Sequence, residues 1–203
     1  MTIKIFKSLP KEVYVACSGG VDSVALALYL KNAGKDVHLV YYYHPEDSNA
    51  EAEFEWLVAF SKEYRFKELH YTKEVFVSRE GGSREMWWRE NRLQWFDTFG
   101  VVLTGHHLDD AVEWYLMTTF TGEPHYMKYA SKNTLKPFLL NKKADIVDWV
   151  KQKHPELTWY TDATNNDAHF NRRNYVRKYI IPNALQVNPG LYKTIKNKLI
   201  EKN

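Results

Sequence analysis

Short apolar runs alternate along this chain with longer stretches of helical spacing. Val13 to Ala16 is an apolar run of strand length, and the residues from Ser23 to Asn32 follow a helical pattern. Gly34 stops that helix, and Val37–Tyr43 reads as a second strand. Ala50 to Glu63 again places apolar side chains at helical intervals, through Phe54, Leu57, Val58 and Phe60. Phe66–Tyr71 is a third candidate strand and Arg84–Phe96 a strong helix. Val101–Thr104 is a short buried strand between Gly100 and Gly105, and Asp109 to Thr119 is again helical. This rhythm predicts an α/β fold with a doubly wound, mainly parallel sheet covered on both faces. Ligands of such sheets bind at the C-terminal ends of strands. Ser18–Asp22 and Gly105–Asp110 both fall there, so both are expected at the same sheet edge. No internal repeat or low-complexity segment breaks the pattern.

With 203 residues the chain can bury one good core and a small appendage. Seven tryptophans argue for a packed fold over a disordered chain. Cys17 is the single cysteine, which excludes an intramolecular disulfide and a cysteine zinc cluster. No apolar run approaches membrane-spanning length and the first residues lack the core of a signal peptide, so a cytoplasmic protein without membrane partners is expected. The net charge of +3 is unevenly spread. From Phe170 onward there are eight Lys and Arg against Glu201 alone, leaving 20 bases and 24 acids elsewhere. A basic tail on an acidic body suits a polyanion, although a solvated terminal helix has the same look.

Candidate chemistry begins where the first strand meets the first helix, at Ser18-Gly19-Gly20-Val21-Asp22-Ser23. Two glycines let the backbone bring its N–H groups close to an anion, and the helix that follows aims its positive end there. Asp22 offers a carboxylate suited to Mg2+ shared with phosphates. The plainer alternative is a tight turn with serine caps. A second constellation, His106, His107, Asp109, Asp110 and Glu113, follows the strand that ends at Thr104. A helix starting at His106 would put His106, Asp109, Asp110 and Glu113 at offsets of zero, three, four and seven, on one face. Such a cluster suits a metal or a polar substrate; equally, acids favour a first helical turn and a histidine caps it. Glu85, Arg89 and Arg92 also share a face, either as an ion pair of about 0.3–0.5 kcal/mol or as a clamp for phosphate charge. Arg172, Arg173, Asn174 and Arg177, interleaved with Tyr175 and Tyr179, form the densest basic cluster, suited to RNA phosphates or to docking on the body. His44 follows the second strand, and Cys17 is read as packing.

The Ser-Gly-Gly-X-Asp-Ser pattern resembles the pyrophosphate-binding loop of ATP pyrophosphatases, the PP-loop fold of Rossmann-like, adenine nucleotide alpha hydrolase type. Further stretches resemble tRNA(Ile)-lysidine synthetases. These are Thr104-Gly105-His106-His107-Leu108-Asp109-Asp110 with Glu113, Glu85 to Arg92, Lys136-Pro137-Phe138-Leu139, Asp162-Ala163-Thr164-Asn165, and Arg173-Asn174-Tyr175-Val176-Arg177 with Pro182. Trp88, Tyr175 and the segment Phe120–Pro124 depart from the family pattern. The chain ends at Asn203, where longer members continue into tRNA-gripping domains, so the resemblance implies a compact form. It implies a catalytic domain over 1–168 with a basic helical extension over 169–203, and an ATP-dependent carbon–nitrogen ligase. That enzyme would adenylate C2 of the wobble cytidine of an isoleucine tRNA with a CAU anticodon, and lysine would displace AMP. ATP would sit on Ser18, Gly19, Gly20, Val21, Asp22 and Ser23 near His44, with Mg2+ on Asp22. Catalysis would use Asp22, Arg89, Arg92, His106, His107, Asp109, Asp110 and Glu113, and Arg172, Arg173, Asn174 and Arg177 would hold RNA. The alternatives are another PP-loop adenylating enzyme with a different acceptor, or a non-catalytic ATP- and tRNA-binding module.

Overall fold

A computed structural model describes residues 3–43, 49–73, 84–160 and 172–203. His44 and the stretch Asp162–Asn165 lie outside the described residues, as do the side chains of Arg84 and Glu85. The chain groups into two compact units: one comprises Leu9–Thr104 and Ser131–Leu135, the other Met1–Ser8, Gly105–Ala130 and Lys136–Asn203.

The first unit is built on a sheet. Its elements are β1 (Glu12–Ala16), α1 (Val21–Asn32), β2 (Asp36–Tyr43), α2 (Ala50–Glu63), β3 (Glu68–Lys73), α3 (Arg84–Phe96), a 3-10 turn (Asp97–Phe99) and β4 (Val102–Leu103). A short hairpin, β5 (Ala130–Ser131) and β6 (Thr134–Leu135), completes a six-stranded sheet in the order β3-β2-β1-β4-β6-β5. The β1–β2, β2–β3, β1–β4 and β4–β6 pairings are all parallel. This is the doubly wound, mainly parallel α/β sheet expected from the sequence. The order runs outward from β1 to β3, then reverses across β1 to β4, which makes the β1/β4 junction the topological switch point where such sheets bind ligands.

Side-chain alternation assigns the two faces. Val13, Val15, Leu39 and Tyr41 point to the α2 side, where Phe54 packs 5.9 Å from Tyr41 and 4.6 Å from Tyr71. The other face carries Tyr14, Ala16, Val40 and Val102, covered by Leu93, Trp95 and Phe96 of α3 and by Phe99. Helix α1 is apolar nearly all round and buried from Val24 to Leu28, as a helix enclosed by its own unit should be. The third strand starts two residues later than its apolar run, because Arg65 takes a left-handed φ of 49° to end α2 and Phe66 turns inward.

The second unit is helical: α4 (Leu108–Phe120), α5 (Lys143–Lys153), α6 (Arg172–Tyr175), a π-helical turn (Val176–Ile180), α7 (Ile181–Val187) and α8 (Leu191–Lys202). Its core includes Leu108, Val112, Phe138, Ile146, Ile195 and Leu199. The turn Lys136–Asn141 is tied down by Asn141, whose side chain pairs with the backbone of Lys4 at 2.9 and 2.8 Å. The Asn141 carbonyl accepts the Leu108 N–H at 2.8 Å, which fixes the start of α4. The π turn has a local cause. Pro182 has no N–H to give and its ring crowds the Lys178 carbonyl, so the helix widens and Ile181 N–H reaches Val176 five residues back.

Candidate functional site

In the first unit, the end of β1 sets up the loop. Cys17 N–H still donates to the Val40 carbonyl at 3.0 Å, the last ladder bond before the chain turns. Gly19 then takes φ of 77°, a left-handed conformation that costs a side-chain-bearing residue about 1–2 kcal/mol, and Gly20 caps α1 in an extended conformation. The loop is closed by Ser23. Its hydroxyl donates to the Gly20 carbonyl at 2.9 Å and accepts the Ser18 N–H at 3.2 Å. Helix α1 starts at Val21, so Asp22 stands in its first turn with a partly buried carboxylate. The first turn of any helix presents amide donors without intrahelical partners, and its dipole favours an anion. This loop can therefore hold a phosphate group beside a carboxylate. Burial pushes the Cys17 thiol up to about 11, so it stays protonated and serves packing.

Arg89 and Arg92 are exposed on α3 of the same unit. Although the Arg92 side chain reaches solvent, its charge is disfavoured by nearby protein and then by Arg89. Two guanidiniums that repel each other are a ready place for an anion.

In the second unit, the constellation around α4 is assembled from distant parts of the chain. The helix begins at Leu108, so His107 is its N-cap and not its first face residue. His107 and Asp110 form a capping box: Asp110 Oδ2 accepts the His107 N–H at 2.9 Å, and His107 Nδ1 faces the Asp110 N–H at 3.4 Å. Asp110 also accepts from Arg177 Nη2 at 2.8 Å. Glu113 is 1% exposed, and its two oxygens each take the Nε–H of an arginine, Arg173 on one and Arg177 on the other. The arginines themselves are half exposed. Asp109 points elsewhere: it accepts the Lys143 N–H at the start of α5 at 2.7 Å and the Tyr192 hydroxyl at 2.9 Å. Burial and then the charge of Asp109 raise the Tyr192 pKa, which keeps that hydroxyl a donor.

His106 precedes the cap and is partly buried. Desolvation lowers its pKa to about 4, with Asp110 opposing and Lys136, Arg173 and His107 reinforcing the fall. It is thus a neutral imidazole at pH 7. Asn174 is buried while Arg172 is exposed, so the basic cluster of the sequence divides between fold and surface. Lys136 and Tyr192 belong to this cluster although sequence reasoning gave them no role. Lys136 stood in a quoted motif; Tyr192, 83 residues from Asp109, carried no signal.

Residues 3–184 match the family described as a PP-loop domain. The chain belongs to the PP-loop domain family. Curated relatives include tRNA(Ile)-lysidine synthases of Francisella tularensis subsp. holarctica, 27% identical over 95% of this chain, and Bacteroides thetaiotaomicron, 28% identical over 94%. That of Parabacteroides distasonis is 30% identical over 91% of this chain. These alignments cover 50%, 46% and 44% of the relatives, so the chain spans about half their length. Among solved structures, the U34-tRNA thiolase NcsA from Methanococcus maripaludis superposes with a TM-score of 0.69 at 15% identity, covering 95% of this chain and 73% of that one. An NH3-dependent NAD synthetase from Campylobacter jejuni gives 0.50 at 16% identity, covering 96% and 86%. These likenesses confirm a PP-loop fold. No described helix is long and apolar enough to cross a membrane.

The Glu113 cluster has an asymmetry that unfolding experiments read directly. The deeply buried partner is the carboxylate, so removing both arginines by Arg173→Ala with Arg177→Ala strands a charge and is expected to cost about 3–5 kcal/mol. Glu113→Gln leaves two guanidiniums that water reaches and costs less. Urea unfolding of the three proteins checks the order, and a larger loss for Glu113→Gln contradicts it.

The lowered His106 pKa also has a stability consequence. The unfolded chain takes up the proton near pH 6.5, the folded chain only near 4. The contribution of His106 is therefore complete above about pH 6.5 and is lost as pH falls toward about 4. His106→Gln is expected to flatten that part of the pH–stability curve, measured as melting temperature from pH 7.5 to 4.5.

Proposed function

We propose that this PP-loop protein is an ATP-dependent carbon–nitrogen ligase acting on tRNA, of the tRNA(Ile)-lysidine synthetase kind. The observation that carries the reading is the alignment with tRNA(Ile)-lysidine synthases over 90–95% of this chain. The loop after β1 and the Thr104–Glu113 segment both lie within it. In the proposed reaction the oxygen on C2 of the wobble cytidine attacks the α-phosphorus of ATP, and pyrophosphate leaves. The ε-amine of lysine then adds to C2 and loses its proton, and AMP departs with the former C2 oxygen. The product is lysidine, the acceptor an isoleucine tRNA with a CAU anticodon.

The residues are assigned the following proposed roles. The loop Ser18–Ser23 holds the pyrophosphate part of ATP through backbone donors, with the Ser23 hydroxyl keeping the loop closed. The donor set fits Mg2+, which typically takes one or two protein carboxylates and completes its shell with phosphate oxygens and water. Asp22 would hold it, and when bound it would neutralise phosphate charge. Arg89 and Arg92 stabilise the charge of the departing pyrophosphate. His106, neutral at pH 7, is able to take a proton as the amine loses one. His107, Asp109, Asp110 and Glu113 act by holding α4, α5 and the two arginines in place. Arg172, with the half-exposed edges of Arg173 and Arg177, offers a contact for RNA phosphates, and Asn174 supports that helix from the buried side.

The test is mass spectrometry of tRNA nucleosides after incubation of unmodified tRNA(Ile) with the protein, ATP, Mg2+ and lysine, with AMP followed in parallel. Lysidine is expected only when lysine is present. Asp22→Ala, melting as the parent does, is expected to lower AMP formation at least a hundredfold. AMP without lysidine would move the proposal to another acceptor of the same adenylating chemistry. ATP and tRNA binding with neither product would favour a binding module.

A further inference from the structure

A second group of chemistry-bearing side chains stands on one face of the sheet, in the first unit. Parallel register places Tyr14 beside His38, His38 beside Glu68, and Val40 beside His70. Alternation then brings Glu12 of β1, His38 of β2, and Glu68 and His70 of β3 onto one face, the face covered by α3. Glu12 and Glu68 are the first residues of their strands and His38 and His70 the third; the register sets His38 and Glu68 level with Tyr14 in mid-β1 and His70 level with Ala16 at its end. The Ser18 loop leaves β1 just past Ala16, with β2 standing between β1 and β3. Two inter-strand spacings, roughly 9–10 Å in all, separate β3 from the strand that carries the loop.

The spacing of the donor atoms is specific. His38 Nδ1 and His70 Nε2 lie 3.4 Å apart, and Glu68 Oε2 is 3.3 Å from His70 Nε2 and 3.9 Å from His38 Nδ1. Ligands bound tetrahedrally at zinc distances of 2.0–2.1 Å stand about 3.3–3.4 Å from one another. Two of the three separations meet that value, and the third needs a shift of about half an ångström in an exposed carboxylate. Octahedral magnesium would draw neighbouring donors to about 2.9 Å and favours oxygen, whereas two imidazoles and a carboxylate suit zinc.

Three further features fit a built metal site. Glu12 Oε1 lies 3.1 Å from His38 Nε2, the ring nitrogen facing away from the other donors. A carboxylate behind a ligating histidine fixes the ring and its tautomer and raises its basicity. The rings are also walled on the core side: Tyr14 lies 4.9 Å from His38 and 5.8 Å from His70, and Phe99 lies 5.1 Å from His70. Finally, the histidine side chains are 13% and 25% exposed while Glu68 is 62% exposed, so a cation has a path in and a water can take a fourth position.

We infer that His38, Glu68 and His70 form a tetrahedral site for a divalent transition-metal cation of the zinc type, with Glu12 as the supporting carboxylate behind His38. The bound cation joins β2 to the edge strand β3. It acts as a clip between these two strands. Because the ligands converge only in the folded chain, the cation stabilises the fold by mass action.

The full chain, stripped with a chelator and dialysed, is titrated with Zn2+ against a chromophoric competitor at pH 7.5. One Zn2+ per chain is expected. Glu68→Gln and His70→Asn should each weaken uptake at least tenfold, and Glu12→Gln by about 10–100-fold. Glu68 is exposed, so its variant keeps the fold, checked by circular dichroism and by an unchanged metal-free melting temperature. Zn2+ should raise the melting temperature of the parent and leave that of Glu68→Gln with His70→Asn unchanged. Co2+ in place of Zn2+ should give the intense visible bands of tetrahedral coordination, lost in the same variants. No stoichiometric Zn2+ uptake by the parent overturns the site, as does uptake undiminished in the double variant. None of these readouts depends on ligase activity, so the site and the proposed reaction stand or fall separately.

Discussion

The central constraint is that β1 has a parallel partner on both sides. Its ladder positions are shared with β2 on one side and β4 on the other, and its apolar side chains are buried against helices on both faces. The backbone leaves that lattice only after Cys17, whose N–H makes the last bond to β2. Everything at the head of α1 follows from how the chain escapes. Gly19 supplies the left-handed turn, Gly20 the extended cap, and Ser23 closes the loop by reaching back across five residues. A site that depends on backbone donors needs a rigid scaffold, and a doubly paired central strand is the stiffest that a sheet offers.

The second unit solves a different problem, that of placing several charges in a largely apolar interior. Glu113 sits at 1% exposure and depends on two arginines that approach from α6 and the π turn. Arg173 and Arg177 are four residues apart and share a helix face, and the widened turn after Tyr175 carries Arg177 toward both Glu113 and Asp110. The uneven charge of the sequence is thus partly resolved inside the fold. Basic residues of the tail neutralise acids of α4, and Arg172 and Lys178 are left to solvent.

The periodicities carried most of the sheet. Strand, helix and strand followed from apolar spacing almost to the residue, because most elements there are longer than a few residues and are bounded by glycine or a polar turn. The hairpin of β5 and β6 was missed, since it lacks the glycine-bounded apolar run that marks the equally short β4. The offsets of Asp110 and Glu113 correctly put both on one face of α4. The helix starts at Leu108, one residue before the expected Asp109, and His107 caps it, so an offset counted from His106 does not put that histidine on the face of α4. Asp109 was grouped with Asp110, whereas successive helical positions point about 100° apart and its carboxylate serves α5 and Tyr192. Partners such as Glu113 and Arg173, 60 residues apart, leave no local trace. The same holds for His38 and His70: Glu68 and His70 are visibly on one face of a strand, but only the register of β3 on β2 brings His38 to them.

Function and stability draw on the same side chains to different degrees in the two units. Around α4, the carboxylates proposed as holding groups cap a helix or neutralise charge, so their substitution perturbs the fold and any reaction together. His106 differs in kind: its neutrality at pH 7 comes from burial and from the cations Lys136 and Arg173, and it changes charge only in acid. In the sheet unit the separation is cleaner. The loop at the head of α1 is held by one hydroxyl and two glycines. A phosphate site held in this way would leave its scaffold to the glycines and Ser23, so that the proposed chemistry and the folding of the loop draw on different groups.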